Sequence, residues 1–264
     1  MRSLSLAGLI VTLAAASTVD AQPSPAESLP IVSAPVATPS WRPYTAGEEL
    51  VYRANLGKLR GRGRAVMRVD GPVEVRGRGA YVLRFELEGR VVGLKVEDRT
   101  QSWVDTATFA ALRYTKRERS PLSSTDEAVE LLLDRGQWVS ARDSGVLASP
   151  EPLDELSFMY FIRTLPLADG DAYVFERHYD QTRNPTRVTV LGRERITVPA
   201  GEFAAIVVEM RVKDPRRYDG EGLVRIHLTD DDRRVPLRIA SRMRGAGTTI
   251  LSLQSAGLTP FAAR

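Results

Sequence analysis

The chain has 264 residues, 37 of them basic and 33 acidic, for a formal charge of +4, and it contains no cysteine. Without cysteine there can be no disulfides, thiolate nucleophiles or thiolate metal sites. So slight a charge excess for this length also argues against a nucleic-acid partner.

The first 21 residues read as a cleavable export signal. Met1-Arg2-Ser3-Leu4-Ser5 supplies a short positive end, Leu6 to Ala16 an apolar run, and Val19-Asp20-Ala21 a small-x-small cleavage site. A spanning helix needs about 20 apolar residues, so this run is too short for a permanent anchor. Cleavage removes Arg2 and Asp20 together and leaves the net charge unchanged. With no cysteine after the site to carry a lipid, the mature protein is expected to be soluble and periplasmic, with no transmembrane anchor.

Residues 22–43 hold six prolines and no periodicity, the pattern of an extended, solvated linker. From Tyr44 the period becomes two. In Leu59 to Val69, small or apolar residues take the odd positions and arginines most of the even ones, which writes one buried and one wet strand face. Tyr81, Leu83, Phe85 and Leu87 alternate in the same way with Arg84, Glu86 and Glu88. Tyr173, Phe175 and Tyr179 form another candidate face, and Leu237 and Ile239 alternate with Arg238. Ala204, Ile206, Val208, Met210 and Val212 form one apolar face and Phe203, Ala205 and Val207 oppose them, as in a strand covered on two sides.

Turn chemistry separates these runs at Asp70-Gly71-Pro72, Arg76-Gly77, Asp180 to Pro185, Val198-Pro199-Ala200-Gly201 and Asp230-Asp231-Asp232. One segment differs. Asp154 can cap a helix whose Leu156, Met159, Tyr160 and Arg163 follow helical spacing until Pro166 stops it. The expected fold is mainly β: a large curved antiparallel sheet, or an open barrel or sandwich, of about twelve strands. One short helix packs on it, the domain spans residues 44–256, and 257–264 form a tail.

Four stretches stand out together: Gly47-Glu48-Glu49-Leu50-Val51-Tyr52, Asp154 to Leu167 followed by Gly170-Asp171, Gly192-Arg193-Glu194 with Val198 to Phe203, and Leu228-Thr229-Asp230 through Arg238. In this order and spacing they resemble the domain of unknown function 3108 family. The likeness covers about residues 44–254, and Leu228-Thr229 departs from a tryptophan-containing pair. The resemblance implies an exported, bacterial, β-rich protein with no agreed activity, so no catalytic residue is carried over from it.

The residues themselves assemble no catalytic set. His178 and His227 are the only histidines, without metal-ligand spacing, and read as ordinary strand residues. Asp230-Asp231-Asp232 lacks the glycine and distant glutamate of a calcium loop and reads as a turn. Adjacent carboxylates such as Glu48/Glu49 and Asp154/Glu155 would point to opposite faces of a strand. No cofactor and no metal are expected.

Arginine supplies 33 of the basic residues. The preference reflects either codon bias in a GC-rich genome or a surface facing phosphate or lipopolysaccharide, which the guanidinium fork matches. The clearest candidate is the row Arg60, Arg62, Arg64 and Arg68 on one strand face. Like charges so placed repel unless carboxylates such as Glu86 and Glu88, or an anionic ligand, answer them. The expected role is non-catalytic binding of an envelope lipid, glycan or envelope protein, with hydrolysis of an envelope polymer as the alternative. A concave sheet face could hold an apolar chain, provided residues 153–165 do not fill it.

Overall fold

A computed structural model describes residues 42–57, 61–120, 123–215, 220–243 and 247–257. The expected export signal, the expected linker up to Trp41, Arg60 and the expected tail from Leu258 lie outside the described residues. The strands are β1 (Glu49–Leu56), β2 (Gly61–Val75), β3 (Arg78–Val91), β4 (Leu94–Asp105), β5 (Ala111–Ser120), β6 (Ser123–Leu132), β7 (Gln137–Ser140) and β8 (Ser144–Val146). After helix α1 (Glu155–Phe161) come β9 (Ala172–Phe175), β10 (Thr186–Val198), β11 (Gly201–Lys213), β12 (Glu221–Thr229), β13 (Pro236–Met243) and β14 (Gly247–Gly257).

All fourteen strands belong to one antiparallel sheet, in the order β8 to β1, then β14 to β9. Two meanders therefore meet where β1 pairs with β14 at the centre. The sequence suggested about twelve strands; β7 and β8, four and three residues long, are too short to display a period. Asp70-Gly71-Pro72, expected to be a turn, is instead an irregularity within the 15-residue β2, where the register with β3 shifts between Asp70 and Val73. A bulge of this kind bends a strand without ending it.

Glycines let the sheet curl around β1–β3. A Cβ on Gly63 would lie 2.4 Å from the Glu88 carbonyl, and one on Gly89 would lie 2.7 Å from Leu56 Cδ1. Only bare backbone permits that approach. The outer strands β8 and β9 are short, as exposed edges tend to be. The segment between them lies across the opening: Ala111 N–H donates to Pro152 O at 2.8 Å, while Leu153 exchanges backbone bonds with Arg177 and Tyr179.

The helix forms as its sequence predicts. Asp154 accepts from the amides of Leu156 and Ser157, and the Ser157 hydroxyl accepts from the Asp154 amide, closing a capping box. Its aromatic residues enter the concave face. Phe158, Tyr160 and Phe161 are at most 3% exposed, and Phe161 meets Phe175 edge-on at 5.2 Å. Leu153, Ile162 and Leu165 complete a core shared with Leu83, Tyr173, Val208 and Leu237. Residues 153–165 thus occupy the space an apolar ligand chain would need, and the carrier expectation is corrected.

Candidate functional site

Arg163 is wholly buried and ties three parts of the chain together. It donates to Glu48 Oε1 at 2.7 Å and Oε2 at 2.8 Å, to Pro43 O at 2.9 Å and to Arg233 O at 3.0 Å. The rings of Tyr44 and Tyr160 each lie 5.4 Å from its guanidinium carbon. Burial opposes its charge, but the Glu48 carboxylate outweighs that and holds the guanidinium firmly protonated. Glu49, the next residue, faces outward to Arg68 at 2.6 Å. The two glutamates thus point to opposite faces, as their strand spacing predicts.

A second polar assembly lines the inner face of β4–β6, beside the start of α1. Glu155 receives bonds from the Tyr114 hydroxyl and from Arg183 Nη2 (2.5 Å), and Arg183 also reaches Asp214 at 3.1 Å. Burial would raise Glu155, but Lys116, Arg183 and Tyr114 together hold it well below the usual carboxylate range. Asp98 faces the same interior with Lys116 4.0 Å away, and there burial wins and raises its pKa. Asp154 is pushed up to about 7 by burial, against bonds from Ser102 and Ser157.

His178 lies in this interior, beyond the end of β9. The expectation of an ordinary strand histidine is therefore corrected: the strand stops at Phe175, and the chain then turns inward to bridge Leu153. Burial, with Arg183 adding to it, lowers the His178 pKa to about 3. His227 sits on the opposite, outer face of the sheet, on β12, with Nε2 3.0 Å from Glu194. The fold does not bring the two histidines together. Asp231 accepts from the amides of Arg233 and Arg234, the turn bonding expected there.

The outer face of β1–β3 carries the arginine row. Arg68 is answered by Glu49 and by Glu86 at 3.6 Å. Arg62 and Arg64 are exposed and form no ion pair among the described residues; Arg60 lies outside them. Register makes their setting more extreme than the sequence suggested. Arg64 stands opposite Arg53 of β1, and Arg62 opposite Arg90 of β3, which itself faces Lys95 of β4. Arg53 and Arg90 also form no ion pair among the described residues. Glu88, in register with Arg64, reaches Arg99 instead at 3.5 Å.

By contrast, Arg76, Arg78, Arg84, Arg99, Arg113, Arg117 and Arg119 on and around β3–β5 each have a carboxylate partner. Arg62, Glu88, Arg90, Lys95 and Val92 line a groove of about 520 Å³ floored by Gly61 and Gly89, and Lys95 pairs with Glu97 at 2.6 Å. Arg53 and Arg90 were not singled out from the sequence. Each sits in a visible alternation, but only the strand register sets it opposite another arginine.

The chain matches the family described as "Protein of unknown function (DUF3108)" over residues 51–253. It belongs to that family. Among solved structures it resembles a β-barrel-like protein of the DUF1849 domain from Brucella abortus, with a TM-score of 0.52 at 11% identity. That match covers 80% of this chain and 97% of the other. A protein from Bacteroides fragilis described as exported, with a YmcC-like fold, gives 0.31 at 12% identity over 83% of this chain and 99% of its own. The DUF1849 likeness supports the mainly β, barrel-like fold. No curated protein matches the sequence. Among the described residues, no helix is long and apolar enough to cross a membrane.

Proposed function

We propose that this domain is a non-catalytic binding module of the cell envelope that holds an anionic, phosphate-bearing envelope component at Arg53, Arg62, Arg64 and Arg90. The observation that carries this reading is the direct opposition of these guanidiniums across adjacent strands without carboxylate partners among the described residues. Like charges so placed destabilise a sheet. A phosphate would relieve the repulsion and accept paired hydrogen bonds from the guanidinium forks. The export signal read at residues 1–21 and the missing lipid-attachment cysteine support a periplasmic location.

The test is titration with glycerophosphoglycerol, a soluble phosphodiester headgroup, followed by NMR and compared with zwitterionic glycerophosphocholine. The anionic headgroup should cause saturable shifts around β1–β3 that weaken with salt and vanish in an Arg62→Gln/Arg64→Gln variant. Shifts indifferent to that variant, or none at all, would sink the proposal.

A second reading, hydrolysis of an envelope polymer, draws on Asp98 and Glu155. Their environments push one carboxyl up and hold the other down around a shared Lys116, the kind of split acid–base pairs use. It predicts that the wild type, and not Asp98→Asn, releases soluble fragments from purified cell-wall glycan. No release by the wild type rules this reading out.

A further inference from the structure

The β3–β4 hairpin beside the arginine groove ends in a turn whose chemistry runs against its geometry. Val91 pairs with Leu94, so Val92 and Gly93 form a two-residue turn. Both have positive φ, 50° at Val92 and 78° at Gly93. Two-residue turns with positive φ at both positions favour Asn-Gly or Asp-Gly, and a β-branched residue there is strained.

Three other described non-glycine residues have positive φ, and each ties its side chain to other parts of the fold. Arg76 donates to Glu130 and to the Leu112 and Leu131 carbonyls, Phe109 stacks on Phe161 at 6.3 Å, and Arg234 donates to the carbonyls of Arg163 and Leu165. Val92, by contrast, spends its strain on an apolar side chain facing water. It is 71% exposed, and Leu94 is 55% exposed. These two apolar side chains stand at the tip: Val92 lies beside Arg62, Glu88, Arg90 and Lys95, and Leu94, in register with Val91, takes the opposite face from the Arg90–Lys95 pair.

We infer that this tip is a membrane-docking element: Val92 and Leu94 enter the interfacial layer of an anionic lipid bilayer while Arg62, Arg90 and Lys95 contact its phosphates. An apolar tip beside a groove where three cations outnumber the one carboxylate suits such a surface, since apolar burial and attraction to anionic lipid add together. A water-filled groove alone gives no reason to keep a strained valine where asparagine would fit. This inference rests on the phosphate-binding reading above and assigns the ligand to a bilayer.

The test uses vesicles with and without phosphatidylglycerol in phosphatidylcholine, read by co-sedimentation. The wild type should bind the anionic vesicles and not the neutral ones. Val92→Asn should raise the melting temperature, because asparagine suits the turn, yet lower vesicle partitioning about tenfold through the lost apolar contact. Leu94→Ser should lower partitioning comparably. The chain has no cysteine, so Val92→Cys carries a single environment-sensitive dye, whose emission should shift to the blue on anionic vesicles only.

Unchanged partitioning of both tip variants, or a dye that stays in water, overturns the inference. If these failures occur while glycerophosphoglycerol still binds and Arg62→Gln/Arg64→Gln abolishes that binding, the phosphate site stands without a membrane role. If the soluble headgroup fails as well, the underlying reading falls too.

Discussion

Arg163 and Glu48 offer the sharpest test of how the fold is held. Arg163 is 0% exposed and Glu48 is 3% exposed, and they are joined by two hydrogen bonds of 2.7 and 2.8 Å. Arg163→Met removes the charge, keeps much of the volume and leaves the Glu48 carboxylate buried without its partner. Breaking such a pair from one side destabilises by about 3–5 kcal/mol. The loss should lie at the upper end, because the Pro43 and Arg233 carbonyls lose their donor as well. For a domain of this size each kcal/mol shifts the melting temperature by about 2–4 °C, so a drop of about 10 °C or more is expected. Glu48→Gln should cost a similar amount. The double variant should recover at least about 1 kcal/mol relative to additivity, since no isolated charge remains buried. Urea unfolding of all four proteins measures this directly. Single variants within about 1 kcal/mol of wild type, or strict additivity, would refute the picture of a coupled buried clamp.

The interior acids and His178 should impose opposing pH dependences. Asp154, raised from 3.8 to about 7, contributes stability that is complete below pH 4 and is lost as pH rises towards 7. His178, lowered from 6.5 to about 3, contributes stability present above pH 6.5 and lost as pH falls towards 3. Asp154→Asn keeps the helix cap, so relative to wild type its stability should rise by about 3 kcal/mol from pH 4 to 7, and His178→Gln should show the opposite slope. Parallel curves for wild type and variant, in unfolding measured across that range, would refute the assignment. Gly63→Ala should destabilise by about 2–3 kcal/mol, because the new Cβ meets backbone 2.4 Å away that can move only by parting β2 from β3. Gly79→Ala meets only the Thr106 side chain at 3.1 Å and should stay within about 1 kcal/mol in the same melts.

The sheet was legible where a strand is long and wet on one side. β2, β3 and β13 declare themselves because arginines and glutamates alternate with core residues, and β11 because Ala205 to Val208 are buried on both faces. The helix was legible from its cap and its proline stop. Short strands such as β8 and the inward turn of His178 were not, because pairing and burial there depend on residues far away in sequence. The arginine row was legible as a row, while its opposition to Arg53 and Arg90 was not. Alternation reports which face a side chain takes, and only register reports which side chain it meets. For the same reason the inward charges Asp98 and Lys116 escaped notice, since a charged residue in a strand is read by default as outward.

The stretches that carry the family resemblance can now be assigned physical tasks. Glu48 and Arg163 form the buried clamp, Asp154 caps the helix, and Val198 to Phe203 turn β10 into β11. Each builds the scaffold, and none lies in the exposed arginine groove. A signature made of such residues identifies the fold and carries no instruction about a ligand. The groove and the Val92 tip have the reverse character: they add little to the core, and they oppose like charges and strain a turn. On the function proposed above, a sheet that tolerates both costs in one place retains them for something outside itself, and that is where the search for a ligand should begin.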